Sequence, residues 1–178
     1  MRTEMRLLLI LGFLIVSLNL LHAKKDKMIT PETNTVQHKH FIYTVVRGNW
    51  FNLQNRVNNA HTLIKAFCDS TGIEINIVEM AVYDVFKPPF KIIAKVGFEV
   101  IGAISADLPK SIAYMLIPER KVCSMIHIGP YIKIGKTYTM IKDHIKTMGF
   151  EPAPPPTEYY LVSDGDKNQY QTLIEYPF

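Results

Sequence analysis

An acidic residue near the end of the chain has surroundings that suit ligand chemistry. Glu175 stands within the apolar segment TLIEYPF, residues 172–178. Burying a carboxylate without a partner costs free energy, so such a group stays protonated until a cationic ligand allows it to ionise. The alternative is that Glu175 points to solvent or pairs with a nearby lysine. We take this residue as the first candidate for a ligand contact.

Aromatic residues form the second group of candidates, because their faces bind flat or cationic ligands. Trp50 follows the first predicted strand, Tyr131 precedes the second predicted helix, and Tyr159 and Tyr160 lie on the penultimate predicted strand. Side chains alternate along a strand, so Tyr159 and Tyr160 cannot both face one cleft. Ordinary core and surface packing is the alternative for each of them.

The histidines and cysteines lack the spacing of a metal site. His127 has no second ligand at a suitable distance in sequence, and His38 and His40 lie in a polar segment. Cys68 and Cys123 belong to no CxxC or Cys/His motif, which argues against zinc. Their pairing stays open, since an oxidising compartment permits a disulfide while a free buried cysteine is an ordinary core residue. We predict no metal and no cofactor.

Composition narrows the class of protein. The chain has 178 residues, about one domain, with 48% hydrophobic and 20% charged residues, which excludes a disordered or coiled-coil chain. The net charge of +4 is too small to indicate nucleic-acid binding without a clustered basic face. Phosphate-loop, GxSxG and HExxH motifs are absent from the sequence. The familiar nucleotide, serine-hydrolase and zinc-protease classes therefore have no support.

The first residues are organised like an export signal. Arg2 and Arg6 precede the apolar run Leu7–Leu21, which is shorter than the roughly 20 residues that a membrane-spanning helix needs. We expect a signal peptide or an N-terminal membrane anchor at 1–23 and a polar tether at 24–40. The protein is accordingly expected to be exported, either periplasmic or secreted, or to be anchored to the membrane.

The rest of the chain, residues 41–178, contains the order β-α-β-β twice. Apolar residues spaced by three and four predict two helices, one starting at Leu53 and ended by Gly72, the other starting at Ile134 and ended by Gly149. Each helix follows one predicted strand and precedes two. These strands are predicted from Phe41 onward and at 73–86, 90–100, 121–131, 157–163 and 169–178.

The duplication predicts an α+β fold with pseudo-twofold symmetry: one antiparallel sheet, two helices on one of its faces and a central cleft. Gly48 with Gly129, Gly72 with Gly149, and Glu99 with Glu175 are separated by nearly equal intervals. Clefts between the halves of such a pair are common sites for small molecules. Glu99, as the counterpart of Glu175, is therefore a further candidate for ligand binding.

The second half of the sequence resembles the GyrI-like small-molecule-binding domain. The resemblance rests on a strand ending in HIGPY, an amphipathic helix, Gly149 followed by Glu151 and a proline cluster, then EYY and finally IEYPF. That family includes the effector-binding domains of AraC-type and MerR-type regulators and shares its architecture with SOUL haem-binding proteins. It implies a cleft for hydrophobic, often cationic ligands, with Glu175 at the position of the acidic residue that faces the ligand.

The resemblance leads to three expectations about function. The first is an exported or membrane-tethered module that captures a hydrophobic, possibly cationic small molecule and has no DNA-binding domain. The second is a hydrolase of small electrophilic compounds that uses a pocket glutamate as general base. The third is a membrane-anchored adaptor for a protein partner. Haem is not expected, because only His127 offers a candidate axial ligand.

Overall fold

The computed structural model describes residues 30–178 apart from positions 50, 88, 103, 105 and 106. The expected signal or anchor at 1–23 and the candidate Trp50 therefore lie outside the described residues. Of the helices in the described part of the chain, none has both the length and the apolar character needed to cross a membrane. The folded unit extends over Pro31–Phe178.

Eight strands and two helices make up this unit. The first half contains β1 (Glu32–Val36), β2 (Lys39–Gly48), α1 (Leu53–Thr71), β3 (Ile75–Lys87) and β4 (Lys91–Val100). The second half contains β5 (Ala113–Ile117), β6 (Arg120–Ile128), α2 (Ile134–Thr147), β7 (Thr157–Val162) and β8 (Gln171–Pro177). Single-turn 3-10 helices lie at Tyr131–Lys133 and Lys167–Gln169. The predicted duplicated α+β fold is confirmed.

Both helices form where the apolar periodicity predicts them. In α1 the buried residues Val57, Ala60, Ile64 and Cys68 recur every three or four positions and so form one face. The helix ends at Gly72, which adopts a left-handed conformation with φ of 71°. A residue without a Cβ takes up this conformation at little cost, so the glycine stops the helix where the sequence places it.

The sheet is antiparallel, and its strand order reveals the pseudo-twofold axis. The order is β1-β6-β8-β7-β3-β4-β2-β5, so each strand of the first half has its counterpart at the same distance from the centre. The central pair is β3 and β7, in which Met80 lies opposite Tyr159. The axis passes through this pair, and the two helices pack on the same face of the sheet on either side of it.

The two ends of the sheet meet and close it into a ring. On one side Glu32 lies opposite Ser124, and seven residues later Lys39 lies opposite Ile117, seven residues earlier on the other strand. The two pairings therefore share one register, which continues across the bend between β1 and β2 and the bend between β5 and β6. β1 and β2 form one long bent strand, β5 and β6 form another, and the two long strands pair with each other. This pairing closes a ring that also contains β4, β3, β7 and β8.

Strands β1 and β5 were not expected from the sequence. The predicted tether at 24–40 contains β1 and the beginning of β2, and β5 lies between the strands predicted at 90–100 and 121–131. In β1 the residues ETNTV are mostly exposed, so the strand carries no apolar alternation that could signal it. Long-range pairing with β6 forms it instead.

The sheet has two different faces. The helix face is covered by α1 and α2 and carries most of the core. The far face lines the inside of the ring and has its own apolar cluster, which includes Phe41, Met80, Val82, Ile117 and Tyr159. Cys68 and Cys123 are both buried and both free, so they do not form the disulfide that the sequence left open.

Candidate functional site

A cleft lies on the helix face, over the central strand pair. Its volume is about 890 Å³. The walls come from the inner side of α1, the turn that leads into α2, and the loop between β7 and β8, while β3, β4 and β7 provide the floor. The cleft therefore lies between the two halves of the duplication, where the sequence predicted it.

Glu158 of β7 is the buried acidic residue of this cleft. It is 3% exposed and is surrounded by tyrosine hydroxyl groups. Tyr138 of α2 donates a hydrogen bond of 2.7 Å to its Oε1, and Tyr160 donates one of 3.1 Å to its Oε2. The tyrosine hydroxyl groups thus replace water as hydrogen-bond donors to the carboxylate, which offsets part of the free-energy cost of its burial.

A third tyrosine extends this arrangement. The hydroxyl oxygens of Tyr83 and Tyr160 are 2.9 Å apart. Either hydroxyl can be the donor in this contact. Tyr83 is also a hydrogen-bond partner of Glu158, so three tyrosine hydroxyls surround the carboxylate. We refer to Glu158, Tyr83, Tyr138 and Tyr160 as the glutamate–tyrosine cluster.

Burial controls the protonation of this cluster. It raises the pKa of Glu158, although the hydrogen bonds from the tyrosines counteract the effect. It also raises the pKa values of Tyr83, Tyr138 and Tyr160 well above their ordinary value, with the nearby carboxylate adding to the rise in each. The tyrosines keep their protons and act as donors, while Glu158 holds a proton more firmly than an exposed glutamate does.

Aromatic rings line the cleft around the cluster. Tyr131 packs edge-on against Tyr160 with ring centroids 5.8 Å apart, and its ring is tilted against Tyr170 at 5.5 Å. Phe86 stacks on Tyr138 at 6.1 Å and meets Tyr83 edge-on at 5.2 Å. Burial raises the pKa of Tyr131 to about 12, so it too stays neutral. The walls suit a hydrophobic or flat ligand.

A second glutamate lies in the same cleft, at its more open part. The side chain of Glu79 on β3 is 38% exposed, and its Oε2 lies 3.2 Å from Nδ1 of His61 on α1. The contact is an ion pair when the imidazole is protonated, although neither ring nitrogen has a well-aligned hydrogen bond. The neighbouring His61 lowers the pKa of Glu79, with a smaller contribution from Lys65.

The two glutamates occupy equivalent positions in the two halves. Glu79 lies opposite Phe98 and Glu158 lies opposite Ile174, the residues just before Glu99 and Glu175. Their helix partners match as well, because His61 stands as far before Gly72 as Tyr138 stands before Gly149. The duplication therefore produced the pairs His61 with Glu79 and Tyr138 with Glu158. They differ in burial and in the direction of the pKa shift.

Glu175 does not line the cleft, which corrects the prediction made for it. On β8 its neighbours Ile174 and Tyr176 pack toward α2, so alternation turns Glu175 to the far face. There Tyr159 donates a 3.0 Å hydrogen bond to its Oε2, and Lys39 lies 3.9 Å away. The alternative that the sequence left open, pairing with a lysine, is the arrangement found.

Two further predicted site residues also lie on the far face. Tyr159 accepts a 2.8 Å hydrogen bond from Lys39 and belongs to the apolar cluster inside the ring. Glu99 alternates with Phe98, which lines the cleft, and therefore points to the side of the sheet that carries Phe41. Neither residue is among those that line the cleft, so the structure does not bring them to the site.

Tyr131 and Tyr160 do line the cleft, and Tyr160 is the member of its pair that faces it. Sequence reasoning missed Glu158, Tyr138, Tyr83, His61 and Glu79. A signal for Glu158 was present, because it lies two residues before Tyr160 and must therefore share its face. Applying the duplication to the helices would also have paired His61 with Tyr138. Among the described residues, no group of three or more His, Cys, Asp or Glu is arranged to hold a metal ion.

Solved structures of other proteins share this fold. The EcmrR C-terminal domain matches with a TM-score of 0.70 and 14% identity, over 83% of this chain and 96% of that one. EcmrR in its DNA complex matches with a TM-score of 0.70 and 14% identity, over 99% of this chain and 68% of that one. A hydrolase encoded by lin2189 from Listeria innocua matches with a TM-score of 0.62 and 12% identity, over 86% and 97%.

These likenesses establish the fold, and the chain has the GyrI-like fold that the resemblance implied. No protein-family model matches the sequence. No curated protein matches it either.

Proposed function

We propose that this protein is a binding domain for hydrophobic cations, which enter the cleft and are held by Glu158. The observation that carries the proposal is a buried carboxylate at the floor of an aromatic cavity of about 890 Å³. A cation that reaches Glu158 supplies the positive charge that the carboxylate lacks, and the rings of Tyr131 and Phe86 offer apolar and cation–π contacts. Membership of the GyrI-like fold supports the same function by analogy.

The electrostatics favour a cation over an anion or a neutral molecule. Tyr138 and Tyr160 donate to the two carboxylate oxygens and Tyr83 is a third hydrogen-bond partner, whereas a carboxylate has about four acceptor sites, so it has capacity for a further partner. An anion placed beside Glu158 would repel it in a poorly solvated site, and a neutral ligand would leave its charge state unchanged. The cleft should therefore distinguish ligands of equal size by charge.

The test uses two ions that share a shape and differ in charge, tetraphenylphosphonium and tetraphenylborate. Isothermal titration calorimetry with the full chain would measure both affinities. We expect the cation to bind and the anion to bind at least tenfold more weakly. Glu158→Gln, which removes the charge at nearly constant volume, should lower the affinity for the cation by about tenfold or more, since a hydrogen-bonded charge interaction contributes about 1.5–3 kcal/mol.

The matched control is Glu175→Gln, which removes the same charge from the same sheet on its far face. It should leave the affinity for tetraphenylphosphonium unchanged. Equal affinities for the two ions, or an equal loss of affinity in both variants, would contradict the proposal.

One observation favours a second candidate, hydrolysis. The raised pKa of Glu158 brings it closer to neutrality, where a carboxyl group is an effective general acid or base, and Tyr83 and Tyr160 supply donors beside it. The protein would be incubated with small electrophilic compounds, and mass spectrometry of the recovered compounds would detect the addition of water. Turnover that Glu158→Gln abolishes would favour hydrolysis, whereas intact compounds would favour binding alone.

We also propose that binding takes place outside the cytoplasm or at a membrane. The support is the apolar run Leu7–Leu21 with Arg2 and Arg6 before it. Expression of the full chain in a bacterial host, followed by cell fractionation and intact-mass measurement, tests this. A soluble cytoplasmic protein of unchanged mass would count against it.

A further inference from the structure

We infer that the cleft takes dications, with one positive group at Glu158 and the second at Glu79. The inference rests on the proposed function and deepens it, since it names the charge pattern of the preferred ligand. It comes from the second carboxylate that the duplication places in the same cavity.

The sheet register sets the spacing between the two carboxylates. Glu158 lies opposite Ala81, and Glu79 lies opposite Tyr160, two positions along β3. The glutamates are therefore diagonal neighbours on adjacent strands, and such neighbours lie about 7–8 Å apart. Both side chains are on the helix face. A ligand with two cationic groups joined by a short chain could contact both without leaving the cleft.

Glu79 is able to hold the second charge. His61 lowers the pKa of Glu79, which favours the ionised carboxylate before any ligand arrives, whereas burial raises the pKa of Glu158. The 38% exposed side chain of Glu79 lines the cleft and has acceptor capacity beyond the one contact with His61. Lys65 lines the cleft and competes for Glu79, but it is exposed and its long side chain can move its charge into water when a ligand cation arrives.

His61 provides an independent sign that this wall of the cleft is built for polar contacts. It is 3% exposed, lines the cavity, and carries two buried ring nitrogens without an aligned hydrogen bond. Buried polar groups are normally satisfied, and an exception calls for a functional reason. A polar ligand beside Glu79 would allow the imidazole and the carboxylate to realign.

The experiment compares two ions that share a six-carbon chain and differ in the number of charges, hexamethonium and hexyltrimethylammonium. Calorimetry on the full chain would give both affinities. We expect hexamethonium to bind at least fivefold tighter, the size of effect that a partly exposed ion pair of about 1 kcal/mol produces. In Glu79→Gln the preference should fall to twofold or less, the statistical advantage of a symmetrical dication, because the dication loses more affinity than the monocation.

Two further variants make the result specific. Glu99→Gln removes one negative charge from the far face and should preserve the preference, which separates a contact at Glu79 from a change in net charge. Lys65→Gln should strengthen hexamethonium binding, because it removes the competing cation near Glu79.

The outcomes distinguish this inference from the proposed function. If tetraphenylphosphonium binds through Glu158 but hexamethonium shows no preference, or its preference survives Glu79→Gln, the dication site is wrong and the cation site stands. If neither monocation binds, both fail.

Discussion

The proposed cation site depends on one carboxyl group, Glu158, whose protonation would be coupled to binding. Glu158 is buried among tyrosines that keep their own protons, and its pKa lies above the ordinary value of 4.5. A cation that needs the ionised form must displace a proton whenever the pH lies below that raised pKa. Binding and proton release are therefore linked.

This linkage predicts the pH dependence of affinity. Below the raised pKa of Glu158, each decrease of one pH unit should lower the affinity for tetraphenylphosphonium by about tenfold, because one proton leaves for each cation bound. Above that pKa the affinity should be constant. Calorimetry in buffers of different ionisation enthalpy would count the released proton. Glu158→Gln should bind more weakly and without this dependence, and a parallel decline in the variant would show that another group titrates.

The choice between Glu158 and Glu175 shows what sequence patterning can and cannot provide. Both stand in largely apolar strands, and alternation correctly predicts that only one of Tyr159 and Tyr160 faces the cleft. It cannot say which face of β8 meets the helix, because the strand is buried on both sides and both sets of side chains are apolar. Only the register with β6 and β7 settles the orientation of Glu175.

The two helices can be predicted from local sequence, whereas the two bent strands cannot. The apolar stripes of α1 and α2 and their terminal glycines specify each helix from local sequence. In contrast, β1 and β5 are five residues each, and they form through pairing with strands distant in sequence. Local propensity does not encode such contacts, so the sequence predicts a tether where β1 forms and no strand where β5 forms.

Gly97 in the middle of β4 lies very close to the backbone of β2. This residue lies opposite Tyr43 on one side and Met80 on the other, and a Cβ at this position would stand 1.9 Å from the carbonyl oxygen of Ile42. No atom can occupy that position unless the backbone of β2 moves. The absence of a side chain here allows the two strands to approach closely.

We therefore expect Gly97→Ala to destabilise the fold by about 3 kcal/mol, at the upper end of the cost of overpacking. Urea unfolding followed by circular dichroism would measure it. Gly135→Ala is the matched control, since a Cβ there meets nothing within 4 Å and alanine favours the helix by about 0.5–1 kcal/mol. A Gly97→Ala protein as stable as wild type would contradict the close approach of β2 and β4.

A polar network on the far face stabilises the ring where its two long strands bend. Lys39 begins β2 just after one bend, and Arg120 begins β6 just after the other. Lys39 contacts Tyr159 and Glu175, while Arg120 donates a 2.7 Å hydrogen bond to Thr157. Strands β2, β6, β7 and β8 are thereby linked across the inside of the ring. Glu175 has a structural role in this network.

Removing β1 should loosen this closure. A chain that begins at Gln37 lacks the ladder with β6 and the 3.0 Å hydrogen bond from Asn34 to Ser124. We expect it to be about 2 kcal/mol less stable than a chain that begins at Thr30, since each lost hydrogen bond contributes about 0.5–1.5 kcal/mol. Urea unfolding of both chains measures the difference. Equal stability would mean that the ladder between the bent strands does not contribute to the fold.

The closed ladder also bears on how the protein behaves at high concentration. Open sheets present unpaired backbone groups along their outermost strands, and these groups can template pairing with a neighbouring molecule. Here β6 and β2, which would otherwise be outermost, are each paired along part of their second side, β6 with β1 and β2 with β5. The edges left open in the described part of the chain are those of β1 and β5, and each is only five residues long, which limits strand addition between molecules.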